Sequence, residues 1–149
     1  MYQDTPSELE FRARCEHLGK TVVKATEDQN KYEHIDFFVD GISVDVKGEK
    51  KENRYDKDIT KELIWLEFKN VKGNVGWLCS DVQKIAFKIR ESYYVFDRQT
   101  LLDFTRHFIE QGVIYKKKKY RKLYRRLGQK DLITYVYLKD IIHLLEYKI

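Results

Sequence analysis

One proline, seven glycines and two cysteines are all that the 149 residues hold of the types that most often break or staple a chain. No proline- or glycine-rich linker divides the sequence, no repeat is visible, and the length suits a single domain over residues 1–149 with a real core. Cys15 and Cys79 have no His or Cys nearby at zinc-ligand spacing, so two thiols in a reducing, cytoplasmic setting are the expectation. Long apolar runs are missing as well. DLITYVYL and ELIWLEF fall short of the roughly 18 to 20 residues of a membrane span. MYQDTPSELEF lacks the basic and apolar regions of a secretory leader, so no membrane partner is expected. Disorder is excluded by what is present: hydrophobic residues make up 42% of the chain and aromatics 14%, enough to bury a core.

Acidic residues are missing from one place. Between Lys116 and Lys130 there are nine Lys or Arg and no Asp or Glu, which leaves −4 for the rest of a chain whose net charge is +5. A mildly acidic body with a basic segment at 115–130 points to a polyanionic partner. Most charge runs are simply solvated faces, but nine cations without a counter-charge repel one another and favour phosphates. Lys116, Lys117, Lys118, Lys119, Arg121, Lys122, Arg125 and Arg126 are therefore the expected nucleic-acid contacts, Arg gripping phosphate and Tyr stacking on splayed bases. RNA or a membrane surface stays open as a partner of the same residues. Tyr120, Leu123, Tyr124 and Leu127 stand at helical spacing within the segment, as the apolar stripe of a helix.

The remaining elements read as follows. DTPSELEFRARCEHLGK is a helix with Thr5 as N-cap, Pro6 first, Glu8 closing a capping box and Gly19 as the stop. TVVKAT is a strand. KGEKKENRYDKD is a charged loop, ELIWLEFKNV a strand, and KGNVGW a turn in which Gly73 and Gly76 supply unusual backbone angles. VQKIAFKI and YYVFDR are strands or a short helix plus a strand. QTLLDFTRHFIEQG is a helix closed by Gly112, LITYVYL a strand and KDIIHLLEY a short final helix. The order predicts an α/β domain with a mixed central β-sheet flanked by helices.

HIDFFVDGISVDVKG carries the strongest local signal. Asp40-Gly41 between alternating runs marks a two-residue hairpin turn. Val39 then faces Ile42, Phe37 faces Val44 and Ile35 faces Val46 on one apolar side. On the other, solvent-facing side Phe38 meets Ser43, Asp36 meets Asp45 and His34 meets Lys47. Asp36 and Asp45 fall in the closer, non-hydrogen-bonded class of pair, with Cα atoms about 4.5 Å apart. Like charges directly opposite are destabilising, so a shared proton or a cation must offset them. A hard divalent ion suits two carboxylates, and an ammonium at Lys47 can orient a water or stabilise a phosphate under attack.

Asp36 followed by Asp45-Val46-Lys47 on adjacent strands resembles the PD-(D/E)xK nuclease superfamily, in particular its small phage-type and Holliday-junction-resolvase-like members. Ile35 stands where the motif's proline would be. The resemblance extends from Ser7 to about Phe104, through WLEFKNVKGNVGWL. It implies a restriction-endonuclease-like core and a metal-dependent DNA endonuclease, with branched DNA as first substrate and a homodimer as assembly. Asp36, Asp45 and the Val46 carbonyl would hold Mg²⁺ or Mn²⁺, and Lys47 would position or activate the attacking water. Glu10 is first choice and Glu8 second for the helix-borne acid of such sites. Gln83 falls where the superfamily often has a helix-borne polar residue beside the lysine. Glu67-Phe68-Lys69 is a second acidic-x-Lys. It can be the triplet itself with Asp45 as first acid, it can support Lys47 or a second metal, or it can be a solvent-facing strand residue without function. The alternative class is a non-catalytic nucleic-acid-binding protein that retains the nuclease fold.

Overall fold

The computed structural model describes residues 2–50 and 62–149; most of the expected charged loop, from residue 51 onward, lies outside them. In chain order the elements are α1 (Pro6–His17), β1 (Val22–Lys24), α2 (Glu27–Glu33), β2 (Phe37–Val39), β3 (Ile42–Lys47), β4 (Leu63–Lys69), a 3₁₀ turn (Trp77–Cys79), β5 (Lys84–Ile89), β6 (Ser92–Asp97), α3 (Arg98–Phe108), β7 (Glu110–Tyr115), β8 (Lys122–Tyr124), β9 (Leu132–Tyr137), α4 (Leu138–Ile141), a second 3₁₀ turn (Ile142–Leu144) and β10 (Tyr147–Lys148). They gather into two compact units. The first is Met1–Glu49, Asp81–Arg98 and Leu145–Ile149; the second is Lys50–Ser80 and Gln99–Leu144. The class is α/β with mixed sheets and helices, as expected, but the strands form two sheets and not one central sheet. One has the order β1-β2-β3-β5-β6-β10 and the other β4-β9-β8-β7. The alternation within ELIWLEF marks it as a strand but says nothing of its partner, which is β9, more than sixty residues later in the sequence. Among the described residues no helix is long and apolar enough to cross a membrane.

In the first unit, Thr5 caps α1. Its side chain accepts the Glu8 N–H at 3.2 Å while Glu8 accepts the Thr5 N–H at 3.3 Å. Phe11 and Cys15 of α1 join Val22, Phe37, Val39, Val44, Val46, Ala86, Tyr93 and Val95 in one buried cluster. The hairpin turn has the positive φ values a type I′ turn needs, 50° at Asp40 and 81° at Gly41. Its register is the expected one from Val39↔Ile42 to Phe37↔Val44. β3 continues the sheet in parallel to β5, and β5 and β6 form a second hairpin. α2 was not expected. Thr26 and Gln29 form a capping box there, but none of the helix's residues is buried, so EDQNKYE shows no apolar stripe to read. The short β10, pairing Tyr147 with Val95, also carries too few residues to show a period. KDIIHLLEY is a helical turn that passes into it.

In the second unit, β4 and β9 pair antiparallel from Leu63↔Tyr137 to Glu67↔Ile133. Ile64, Leu66, Thr134 and Val136 alternate onto one face and are essentially fully buried. The basic segment is not a helix. Tyr120 bridges to Tyr135, Lys122–Tyr124 is β8, and Leu127, the last member of the supposed stripe, is 98% exposed. The i, i+3, i+4, i+7 spacing there coincides with an alternating strand, Leu123 inward between Lys122 and Tyr124, followed by a turn. α3 ends at Phe108, and Gly112 lies within β7, where φ of 82° accompanies the register shift between Glu110 and Ile114. Gly73 has the expected positive φ, 84°, but Gly76 does not. Gly76 is needed for space instead: a Cβ there would lie 2.5 Å from the Glu67 carbonyl oxygen. That contact is backbone on both sides and cannot be relieved by a rotamer change. We expect Gly76→Ala to cost about 1 to 3 kcal/mol, read as a lower urea midpoint; an unchanged midpoint would contradict the packing of β4 against this turn.

Candidate active site

The two aspartates of the hairpin arrive from different geometries. Asp45 sits within β3, paired with Ile85 across the parallel step to β5. Asp36 lies one residue before β2. The ladder stops at Phe37↔Val44, and the Asp36 N–H donates to the Val44 carbonyl at 2.9 Å. Beyond that point the register would give the Val46 N–H a backbone carbonyl as acceptor. The Asp36 side chain takes that place: Oδ2 accepts the Val46 N–H at 2.7 Å. The expected cross-strand pairs Asp36–Asp45, Ile35–Val46 and His34–Lys47 therefore do not form, and the two aspartates meet only at the cavity that both line. His34 is instead the left-handed C-cap of α2, with φ of 59°. The Asp36 side chain frees the chain before β2 to bend into that helix. α2 in turn supplies Asn30, whose amide donates to Asp36 Oδ1 at 2.7 Å and to the Ile35 carbonyl at 3.2 Å.

The result is a cavity of about 230 Å³ lined by Glu8, Asn30, His34, Asp36, Asp45, Val46 and Lys47. The side assigned to solvent is in fact covered. Asp36 is 6% exposed and Asp45 3%, with Ser43, Ile85 and Phe87 also buried. Burial first, and then the charge of Asp45, pushes the Asp36 carboxyl up from 3.8 to about 7, and a hydrogen bond between the two carboxyls acts in the same direction. The Val46 N–H and Lys47 oppose this. Lys47 Nζ lies 3.0 Å from Asp45 Oδ2. Glu8 is raised by its own burial and then by Asp36. Tyr2 is pushed up to about 12 by burial, then by Asp36 and Glu8. The field at this pocket is negative, three carboxyl groups against one lysine.

A hard cation fits this donor set. All the candidate ligands are oxygens: the two carboxyls, Glu8 and the Val46 carbonyl. A strand residue's N–H and C=O project to the same edge, so that carbonyl leaves β3 on the side where Asp36 holds the N–H. Among the described residues no group of three or more His, Cys, Asp or Glu is gathered as a metal cage. Mg²⁺ does not require one, since it is usually held by one or two carboxylates with waters filling the remaining positions. A doubly positive ion would also replace the proton that the paired carboxyls otherwise share.

The other expected site residues fall elsewhere. Glu10 does not line the cavity; its carboxylate is held by Arg14 at 2.6 Å and by Lys88. Glu8, the second choice, does line it. Glu8 stands three and seven residues before the buried Phe11 and Cys15 and so shares their side of α1, whereas Glu10 lies off that side. Gln83 is not on a helix. It precedes β5, where its Oε1 accepts the Ser43 N–H at 3.0 Å and its own N–H donates to Ser43 Oγ at 2.9 Å, tying β5 to β3. Glu67 belongs to the second unit, where its Oε1 accepts the Trp77 N–H at 3.4 Å. Of the basic residues, Arg126 pairs with the buried Asp131 at 2.6 Å, and Arg125 donates to the Asp131 carbonyl at 3.0 Å. Lys122 pairs with Glu110 at 2.8 Å, and Arg121 donates to the Phe108 carbonyl at 2.8 Å. Lys116, Lys117 and Lys119 are exposed. Asn30 was missed. Its signal was the Thr26-x-x-Gln29 capping box, which would have placed a helix, and Asn30, just before the hairpin.

No protein-family model, curated protein or solved structure matches the chain.

Without metal, Asp36 holds its proton more tightly folded, at about 7, than at the ordinary 3.8 of the unfolded chain. The folded state therefore binds the extra proton between those values. Its contribution is fully present below about pH 4 and is lost as pH rises through 7, by at most about 4 kcal/mol. In EDTA, the melting temperature of the wild type relative to Asp36→Asn should fall from pH 4 to pH 8, and Mg²⁺ should raise it more at pH 8 than at pH 5. A flat difference would mean that burial and the charge of Asp45 do not raise the Asp36 carboxyl.

Proposed function

We propose that the chain is a metal-dependent endonuclease with a restriction-endonuclease-like core that hydrolyses phosphodiester bonds in DNA. One observation carries this reading: two buried carboxyls and a lysine amine 3.0 Å from one of them line a common cavity. A structural hairpin gains nothing from opposing two buried acids, and binding alone does not require them. Asp36, Asp45 and the Val46 carbonyl would hold Mg²⁺ or Mn²⁺, which when bound polarises a phosphate and lowers the pKa of water. The chain's own residues supply the rest. Asn30 and the Val46 N–H fix the orientation of Asp36. Asp45 holds the Lys47 amine at the cavity, where it orients the attacking water and stabilises charge developing on the phosphate. Glu8 adds a third carboxyl from α1. The exposed cations Lys116, Lys117 and Lys119 are assigned to the DNA backbone, and a cytoplasmic setting, a branched substrate and a homodimeric assembly belong to the same proposal.

Supercoiled plasmid and a synthetic four-way junction, each incubated with Mg²⁺ or Mn²⁺, test it. The wild type should cleave, EDTA should abolish cleavage, and Asp45→Ala and Lys47→Ala should each lower the rate on the order of 100-fold or more. Cleavage that survives both substitutions removes the hairpin from the chemistry. Binding without metal-dependent cleavage by the wild type favours a nucleic-acid-binding protein that retains the fold.

A further inference from the structure

We propose that the second unit is a platform for an unpaired polynucleotide strand, which lies on the outer face of its four-stranded sheet. The inference goes beyond cleavage and does not depend on it.

Register separates the two faces. Ile64, Leu66, Thr134 and Val136 point to the buried side. Trp65 pairs with Tyr135, both Glu67 and Tyr124 pair with Ile133, and Tyr115 pairs with Tyr124. Ladder partners share a face, so all four strands contribute an aromatic ring to the opposite side. The rings meet there: Trp65 and Tyr135 at 5.1 Å, Tyr135 and Tyr137 at 6.1 Å, Tyr120 and Tyr137 at 5.1 Å. Tyr135 is buried beneath this layer, whereas Trp65, Tyr115, Tyr120, Tyr124 and Tyr137 each keep part of their surface open. The buried face uses aliphatic residues and threonine; the opposite face is rich in half-buried rings, with Leu63 and Ile133 among them and Phe108 of α3 6.4 Å from Tyr120.

Cations border the rings. Lys119 Nζ lies 4.8 Å from the Tyr115 centroid, Lys139 Nζ 5.7 Å from that of Tyr137, and the Arg121 guanidinium 3.9 Å from that of Phe108. All three are exposed. The acids of this region are already engaged. Glu110 holds Lys122 and the Tyr115 hydroxyl, Asp140 accepts the Tyr120 hydroxyl, and Glu67 accepts the Trp77 N–H. Among the described residues Lys116 and Lys117 make no ion pair. Open rings bordered by cations match a ligand that presents flat π-faces and phosphates together. A duplex hides its base faces in the stack, whereas a single strand offers both groups. DNA and RNA share this chemistry.

The test uses the full chain carrying Asp45→Asn, in EDTA, so cleavage plays no part and failure of the nuclease reading leaves it intact. Binding of labelled oligo-dT, oligo-rU and a mixed-sequence duplex, each of about 15 nucleotides or base pairs, is followed by anisotropy. Single strands should bind at least about tenfold tighter than duplex. Tyr137→Ala or Trp65→Ala should weaken single-strand binding about 5- to 100-fold, while Tyr137→Phe retains it. The tryptophan emission of this Asp45→Asn chain should be quenched at saturation, and adding Trp65→Phe, which preserves a stacking ring and so the fold, should abolish that quenching. Whichever of dT or rU binds tighter supports the proposal and assigns the source. Duplex binding as tight as either single strand, or emission unchanged at saturation, overturns it.

Discussion

The hydrogen bond from the Val46 N–H to Asp36 Oδ2, at 2.7 Å, is the interaction on which the candidate site depends. It substitutes a side-chain oxygen for the backbone carbonyl that a longer β2 would have provided. With that amide satisfied, the hairpin ladder stops at Phe37 without leaving a buried donor unpaired. The chain before it is then free to form α2, and α2 places Asn30 against the other oxygen of the same carboxyl. One side chain thus ends a strand, anchors a helix and lines a cavity. Its position beside Asp45 follows from these duties, and the strained protonation of the pair follows from that position.

How much of this was legible in the sequence differs by region. The hairpin was, because Asp40-Gly41 admits one turn geometry and the alternation of Phe37, Val39, Val44 and Val46 admits one register. A period of two fixes which residues share a face, so Asp36 and Asp45 could be placed on the same side before their surroundings were known. The surroundings were not legible. Whether that side meets solvent depends on what covers it, and the sequence pattern holds no record of this. Glu8 and Glu10 differ from this case. Glu8 shares the i, i+3, i+7 side of α1 with Phe11 and Cys15, so the spacing held a signal for it, while what holds Glu10 off that side, Lys88 and Arg14, is seen only in the fold.

The basic segment was misread for a different reason. Leu123 is buried and Tyr120 bridges to Tyr135, so both apolar positions are real, but a stretch this short fits either period. Length decides between helix and strand, and four lysines in a row with no apolar residue among them carry no period at all. Gly112 misled in the same way. A glycine after an apolar helix reads as a C-cap, whereas here it relieves an irregular strand. Of the basic segment's cations, Lys116, Lys117, Lys119, Arg121, Arg126 and Lys130 are exposed, while Lys118, Lys122 and Arg125 are half-buried.

The path of the chain has a further consequence. The six-stranded sheet is assembled from three separated segments, with residues 50–80 interposed before β5 and residues 99–144 before β10. Its central parallel step therefore closes a long loop, and its last strand docks only after the whole second unit has been synthesised. Such topology raises contact order and slows folding. It also makes the cavity-bearing unit impossible to isolate by trimming either end of the gene. A minimal version would need a new short connection from Glu49 to Asp81 and another from Arg98 to Leu145, which turns a question about catalysis into one of circular rewiring.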